Sequence, residues 1–121
     1  MSRFAAAIRP YVDAELRAAA EAERRGDSAQ AFTHLERAHV LGQPSTRQHV
    51  RTHWHMLRWG WRHRDLRECV GQVTRMIGAA TLTAIGMVPT GNTGGSNVSP
   101  LKPMPVPDDL AGIIVRARAA G

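Results

Sequence analysis

The chain has 121 residues, a net charge of +6 and an apolar fraction of 43%. This length fits one domain with its own core, and the absence of a run of eighteen apolar residues argues against a membrane span. The early Arg9-Pro10 pair is unlike a secretory signal, and the single cysteine, Cys69, excludes an internal disulfide. We therefore expect a soluble, cytoplasmic protein.

The positive charge comes almost wholly from arginine, because Lys102 is the only lysine. A solvated arginine-rich surface accounts for it, and an acidic protein partner or nucleic acid are the alternatives. Phosphate backbones attract such surfaces, but the sequence holds no recognised reading motif. Nucleic-acid binding is therefore the remote alternative.

The first half of the chain predicts two helices joined by a tight turn. Strong helix formers run from Arg9 to Arg25, and Gly26-Asp27 ends that helix. Asp27 or Ser28 is suited to cap a second helix, which runs to about Leu41 and ends at Gly42.

Two further helices follow, again with a short connection. Pro44-Ser45-Thr46 opens the third, which runs to about His63, and Asp65 caps the fourth, which ends near Ala80. Short connections between helices make them antiparallel neighbours. The sequence therefore predicts an all-α fold of two antiparallel helical hairpins, forming a domain over residues 1–86.

The composition changes after Gly86. Residues 87–107 hold five of the seven prolines and a glycine cluster at residues 91–95. Such a density of helix and strand breakers predicts an ordered strap across the hairpins, with a disordered tail as the alternative. Its glycines suit a tight turn that approaches the hairpins closely, or a backbone nest for an anion. Pro107-Asp108-Asp109 then predicts a short C-terminal helix within residues 108–121.

One stretch carries a repeat-like pattern. Small or apolar residues follow the Gly26-Asp27 turn at fixed spacing: Ala31, Phe32, Leu35, Ala38 and Pro44. At these positions residues 22–44 resemble one tetratricopeptide repeat, and residues 53–79 resemble it more loosely. The resemblance implies a TPR-like groove that binds a peptide or a partner subunit.

Three segments are typical of one family: LERAHVLGQ at residues 35–43, HVRTHWHML at residues 49–57 and PTGNTGG at residues 89–95. Through them the chain resembles, over nearly its full length, a bacterial family called domain of unknown function 3703. That resemblance supports the element boundaries and implies no particular activity.

Histidine and carboxylate side chains recur near the predicted inner helix faces. On the second helix, His39 lies at the edge of the buried face, with Glu36 one turn before it. This Glu-x-x-His spacing is how di-iron bundles present ligands. On the third helix, His49 and His53 are four residues apart and share one face.

That pair borders the apolar face that we expect the third helix to bury: Val50, Trp54, Leu57 and Trp61. On the first helix, Glu15 lies within a stripe of Tyr11, Ala18 and Ala22 that we expect to face the core. A carboxylate facing a core must be paired, protonated or bound to a cation. Glu15 therefore joins the candidate ligands.

Together these side chains predict a metal site between three helices. The candidate ligands are Glu15, Glu36, His39, His49 and His53. A mixed histidine and carboxylate set favours Fe, Mn or Zn over Cu. The alternatives are histidines bonded to the backbone and glutamates paired with arginines.

The resulting hypothesis is a metal-binding protein that handles metal or acts as a small metalloenzyme. The alternative is a TPR-like module for an acidic peptide or protein partner, or a homo-oligomer. No serine or cysteine has a recognisable nucleophile setting, so the pattern leaves enzymatic activity open.

Overall fold

The computed structural model describes residues 2–83, 89–99 and 102–120. That part of the chain forms five α-helices: α1 (Arg3–Arg24), α2 (Ser28–Gly42), α3 (Thr46–Arg62), α4 (Leu66–Leu82) and α5 (Asp108–Ala120). The helices α1 and α2 pack together, as do α3 and α4. The predicted all-α class and its hairpin packing are confirmed.

Four of the helices begin at short polar side chains that accept a hydrogen bond from a backbone N–H three residues later. These caps are Ser2, Asp27, Ser45 and Asp65. Each satisfies a donor that the first helical turn leaves unpaired. Local chemistry therefore sets these boundaries, and for α2, α3 and α4 the predicted starts agree with the observed ones to within about two residues.

The predicted start of α1 is wrong. The helix begins at Arg3 and runs through Pro10, whereas the sequence indicated a start near Arg9. Proline inside a helix removes one backbone hydrogen bond and costs about 3 kcal/mol. Burial of Ile8 on the same turns, together with the Ser2 cap, offsets that cost.

The predicted inner face of α1 is also wrong in part. The helix buries Ala5, Ile8, Val12, Leu16, Ala19 and Ala22. Tyr11 is exposed and Glu15 lies at the edge of this face. The aliphatic residues recur every three or four positions and form the wider apolar stripe, so they turn inward in preference to the narrower stripe around Tyr11.

The third helix departs furthest from its apolar pattern. Its buried residues are Gln48, His49, Thr52, His53, Met56 and Gly60. Trp54 and Trp61 are 49% and 76% exposed, so the expectation that they belong to the core is wrong. The histidines, predicted to border the buried face, instead lie at its centre.

The apolar core lies between the first hairpin and α5. Its members include Ile8, Val12, Leu16, Leu35, Leu41, Met56 and Leu110. α5 packs against α1 and α2, while α2 also contacts α3. The second hairpin therefore contributes little more than Met56 to this core, and a different interior is needed to hold it.

That interior involves the proline- and glycine-rich segment. Residues 89–99 lie against α2 and α4, bonding to His39, Gln72 and Arg75. The expected boundary at residues 86 and 87 lies outside the described residues, as do residues 100 and 101 of the expected strap. None of the described helices is both long and apolar enough to cross a membrane.

Candidate metal centre

Three histidines meet where the two hairpins join. His39 stands in the last turn of α2, and His49 and His53 stand one turn apart on α3. The junction is tight: a Cβ at Gly42 would lie 2.9 Å from Cβ of Gln48. Glycine at the end of α2 therefore lets α3 approach closely enough to bring the three rings together. We call His39, His49 and His53 the histidine trio.

Nε2 of His39 lies close to Nε2 of both other rings, and the ligand atoms of the three histidines all lie within 4.8 Å of one another. Nε2 of His39 lies 2.9 Å from Nε2 of His49 and 3.1 Å from Nε2 of His53. All three rings are buried, with relative exposures of 2%, 6% and 2% in chain order. Within the described residues, no other group of three His, Cys, Asp or Glu side chains converges in this way.

The Nδ1 atoms point away from that centre, and each has a protein partner. Nδ1–H of His39 donates to the backbone carbonyl of Asn92 at 2.6 Å. Nδ1 of His53 lies 2.5 Å from Oε1 of Gln72. The Gln72 amide nitrogen donates to a carboxylate oxygen of Glu68 and to the carbonyl of Gly94, so Oε1 is the acceptor that faces His53.

These bonds decide the tautomers of two rings. The Asn92 carbonyl and the Gln72 oxygen can only accept, so His39 and His53 both carry their proton on Nδ1. In the neutral rings, both Nε2 atoms then present lone pairs to each other across 3.1 Å. Two facing lone pairs repel unless a proton or a cation lies between them.

His49 is held differently, because its Nδ1 faces the hydroxyl of Thr83 at 2.5 Å. A hydroxyl both donates and accepts, so it suits either tautomer of the ring. His49 can therefore donate from Nε2 to His39, or can present a third lone pair to a cation. The Thr83 hydroxyl therefore allows His49 to adopt either tautomer.

The trio is neutral at physiological pH. Burial, and secondarily the neighbouring His53, lowers the pKa of His49 to about 3. Burial lowers the pKa of His53 to about 4, and lowers that of His39 well below its usual value. Neutral imidazole is the form that binds metal ions.

The glycine-rich segment closes the site from one side. Gly94 has φ +84°, and a Cβ there would lie 2.6 Å from Cδ2 of the His39 ring. Glycine is required for both reasons, and the close approach matches what the glycine cluster predicts. Ser96 donates from its backbone N–H and its hydroxyl to Glu68, which anchors the same segment to α4.

The structure does not bring the two predicted carboxylate ligands to the trio. Glu15 bonds Nδ1 of His34 at 2.7 Å and Nε of Arg37 at 2.9 Å, which engages both of its oxygens. Glu36 is half-buried, and burial raises its pKa, while the neighbouring Thr93 side chain acts in the opposite direction. The sequence predicted that both glutamates would face a common centre. Glu15 instead lies in an ion-pair network between α1 and α2.

Comparison with known proteins identifies the family to which the chain belongs. The family model described as "Protein of unknown function (DUF3703)" matches residues 6–114. The chain belongs to this family. No curated protein and no solved structure is similar enough to count as a match.

Sequence patterns did not predict the side chains that orient the trio. Glu68 and Gln72 are four residues apart on α4 and share its buried face with Ala79. The sequence did offer one signal of their role, because these two polar residues lie on a helix face that also carries small core residues. Asn92 acts through its backbone carbonyl, so its residue type carries no such signal.

Two of the three pairs of ring nitrogens have the spacing that one metal ion requires. Two nitrogen ligands at about 2.0–2.1 Å from an ion, at right or tetrahedral angles, lie about 2.9–3.4 Å apart. The Nε2 separations of His39 from His49 and from His53, 2.9 and 3.1 Å, fall in that range. All three ligand atoms lie within 4.8 Å of one another, so binding one ion through all three requires a small movement of His49 or His53. Carbonyl and amide oxygens bonded to the far ring nitrogens are the usual outer partners of ligating histidines.

Proposed function

We propose that this protein binds one divalent transition-metal ion through Nε2 of His39, His49 and His53. The observation that carries the proposal is the pair of facing lone pairs on His39 and His53, 3.1 Å apart and each fixed by a bond at Nδ1. A cation between these two buried Nε2 atoms would remove the repulsion between their lone pairs and so stabilise the fold.

The donor set narrows the choice of metal. With three neutral imidazoles and no carboxylate among the converging atoms, the site suits Zn(II), Fe(II) or Cu(II) better than Mn(II), which prefers oxygen ligands. Of the iron, manganese and zinc expected from the sequence, iron and zinc therefore fit better than manganese. Copper, which the sequence pattern ranked below iron, manganese and zinc, becomes a stronger candidate for the same reason.

The burial of the site bears on what the metal would do. Three protein ligands leave at least one coordination position for water or another small group, as in catalytic zinc sites. All three rings are nearly inaccessible, however, and Asn92 and Gly94 lie against the His39 ring. We infer metal holding or handling as the function, in preference to catalysis on a large substrate.

The test is elemental analysis of protein purified without a histidine tag. We expect about one transition-metal ion per chain. His39→Ala and His53→Ala should each remove most of it, with His53→Gln as a milder variant should alanine unfold the protein. His63→Ala is the matched control, because His63 is exposed and pairs with Glu23 on the surface.

Cobalt substitution adds a second measurement. Co(II) bound by nitrogen ligands has visible absorption that reports its coordination, so the wild type and His63→Ala should give the same spectrum. Sub-stoichiometric metal that survives His39→Ala and His53→Ala in folded protein would overturn the proposal.

A further inference from the structure

The outer side of the second hairpin is unusually apolar. Its exposed large hydrophobic residues, with their relative exposures, are Trp54 (49%), Trp61 (76%), Leu66 (71%), Val70 (68%), Val73 (49%) and Ile77 (66%). We call these six residues the outer apolar face. Monomeric soluble proteins rarely expose large contiguous apolar patches unless the patch binds something.

The four α4 residues form one continuous stripe. Leu66, Val70, Val73 and Ile77 are spaced by four, three and four positions, so they lie along a single side of the helix. The opposite side carries Glu68 and Gln72, which turn inward toward the glycine-rich segment and the trio. α4 is thus inverted relative to an ordinary surface helix, with polar residues inside and aliphatic residues outside.

Two tryptophans of the neighbouring helix α3 are also exposed. A Cβ at Gly60 would lie 3.2 Å from Sγ of Cys69, which sets the level of the two antiparallel helices. In this register Trp61 stands near the level of Leu66, and Trp54 near that of Val73. Trp54 and Trp61, with neighbours from α3, line a depression of about 310 Å³, large enough for a partner's side chain.

The surroundings of this face are basic. Arg58 and Arg62 line the depression, and Arg67 follows at the start of α4. The two acidic residues of the hairpin are both engaged: Asp65 caps α4, and Glu68 is buried and bonded to Gln72 and Ser96. The face therefore combines apolar contact area with positive charge, of which Arg62 is partly balanced by Glu23 of α1 at 3.7 Å.

We propose that the outer apolar face binds an amphipathic helix of a partner protein that carries acidic residues beside its apolar stripe. Apolar residues at helical spacing would lie along the α4 stripe, one of them entering the depression between the tryptophans. Glutamate or aspartate on the flanks would meet Arg58 and Arg67, and would share Arg62 with Glu23. The sequence also suggested an acidic protein partner, and we place its contact on this face.

A second copy of this chain fits less well. A two-fold interface brings the same patch against itself, and this patch offers the arginines at its edge no acidic side chain, because Asp65 and Glu68 are both engaged. A membrane surface supplies negative charge but no projecting side chain for the depression. Charge and shape together favour the acidic helix.

The experiment uses a synthetic helical peptide about five turns long, with leucines on one face and glutamates on its flanks. Binding is followed by calorimetry and by the fluorescence of Trp54 and Trp61. We expect the glutamate peptide to bind at least about tenfold more tightly than the same peptide with lysines in place of glutamates. Added salt should weaken its binding.

Two matched variants locate the contact. Val70→Glu should weaken peptide binding about tenfold or more, whereas Val115→Glu should leave it unchanged. Both replace an exposed valine, 68% and 65% accessible respectively, and Val115 lies on α5 away from this face. Circular dichroism and metal content of both variants report whether the fold is kept.

Several outcomes would overturn the proposal. These are equal affinity for the glutamate and lysine peptides, no binding of either, or equal effects of the two valine variants. A dimer by light scattering that Val70→Glu dissociates would assign the face to a second copy. Binding of anionic phospholipid vesicles with a blue shift of tryptophan emission, in the absence of peptide binding, would assign it to a membrane.

Discussion

Glycine at residue 94 shows how one residue type joins backbone conformation to the histidine trio. Gly26 and Gly94 have nearly the same φ, +79° and +84°, but only Gly94 has a neighbour within reach of a Cβ, namely the His39 ring. Alanine substitutions at the two positions therefore distinguish the free-energy cost of a positive φ from the cost of displacing the His39 ring.

Gly26→Ala is expected to lower the free energy of unfolding by about 1–2 kcal/mol, which is the cost of the left-handed conformation for alanine. Gly94→Ala is expected to lower it further and also to reduce metal content, because the added methyl group meets His39. Urea unfolding and elemental analysis measure the two effects. Equal effects of both substitutions on metal content would contradict this prediction.

Glu15 is a second residue whose role the contacts define. Its carboxylate joins His34 and Arg37 and is separate from the converging Nε2 atoms. We expect Glu15→Gln to cost about 1–2 kcal/mol of unfolding free energy, since hydrogen bonds to a partly buried charged group are lost. Metal content should be unchanged.

The matched control for that prediction is Glu21→Gln, because Glu21 forms only exposed ion pairs with Arg24 and Arg25. Exposed pairs contribute little, so this change should be nearly silent. A loss of bound metal in Glu15→Gln, with the fold intact, would return Glu15 to the ligand set.

At the scale of the elements, α3 carries tryptophans with opposite surroundings. Trp59 packs against Phe32, with ring centroids 4.6 Å apart, and donates from Nε1 to the carbonyl of Ser28 at 3.1 Å. It therefore ties α3 to α2. Trp61, two residues later, is 76% exposed and belongs to the outer apolar face.

Trp59→Ala is expected to lower the free energy of unfolding by about 3 kcal/mol, because it removes a large packed ring and a hydrogen bond. Trp61→Ala should change it by about 0.5 kcal/mol or less in the isolated protein. Chemical denaturation followed by circular dichroism compares the two. Comparable losses would show that Trp61 is covered in solution.

The inverted polarity of α4 has a cause at this same scale. Glu68 and Gln72 are buried because they satisfy each other and hold Ser96, Gly94 and His53. A fully bonded polar network is stable inside a protein, whereas a partly bonded one is costly. The aliphatic side of α4 is left outside because the inside is already occupied.

At the scale of the whole molecule, stability depends on the protonation of the trio. The folded-state pKa values of His49 and His53 are about 3 and about 4, below the usual 6.5. Below that usual value the unfolded chain binds protons that the folded chain does not. Lowering the pH therefore favours the unfolded state.

We expect metal-free protein, prepared with a chelator, to lose roughly 2 kcal/mol of unfolding free energy per buried histidine between about pH 7 and pH 5. Urea titrations at intermediate pH values measure this loss. A stability that stays constant over this range would contradict the prediction.

Local signals in the sequence predicted most of the helix boundaries and placed the three histidines, together with Glu15 and Glu36, among the candidate ligands. Capping side chains, Gly26 and the Pro107-Asp108-Asp109 start are local signals that act within a few residues, so they can be read without the fold. The four-residue spacing of His49 and His53 put them on one face for the same reason.

Contacts between distant parts of the chain set which helix faces turn inward and which ligand atoms lie together. Apolar periodicity predicted that Trp54 and Trp61 would be buried, but polar side chains that bond one another took the interior instead. Such bonding depends on residues far apart in the chain, as with Asn92 and His39 or Gln72 and His53. Glu15 was separated from the site in the same way, because two partners on α2 held it elsewhere.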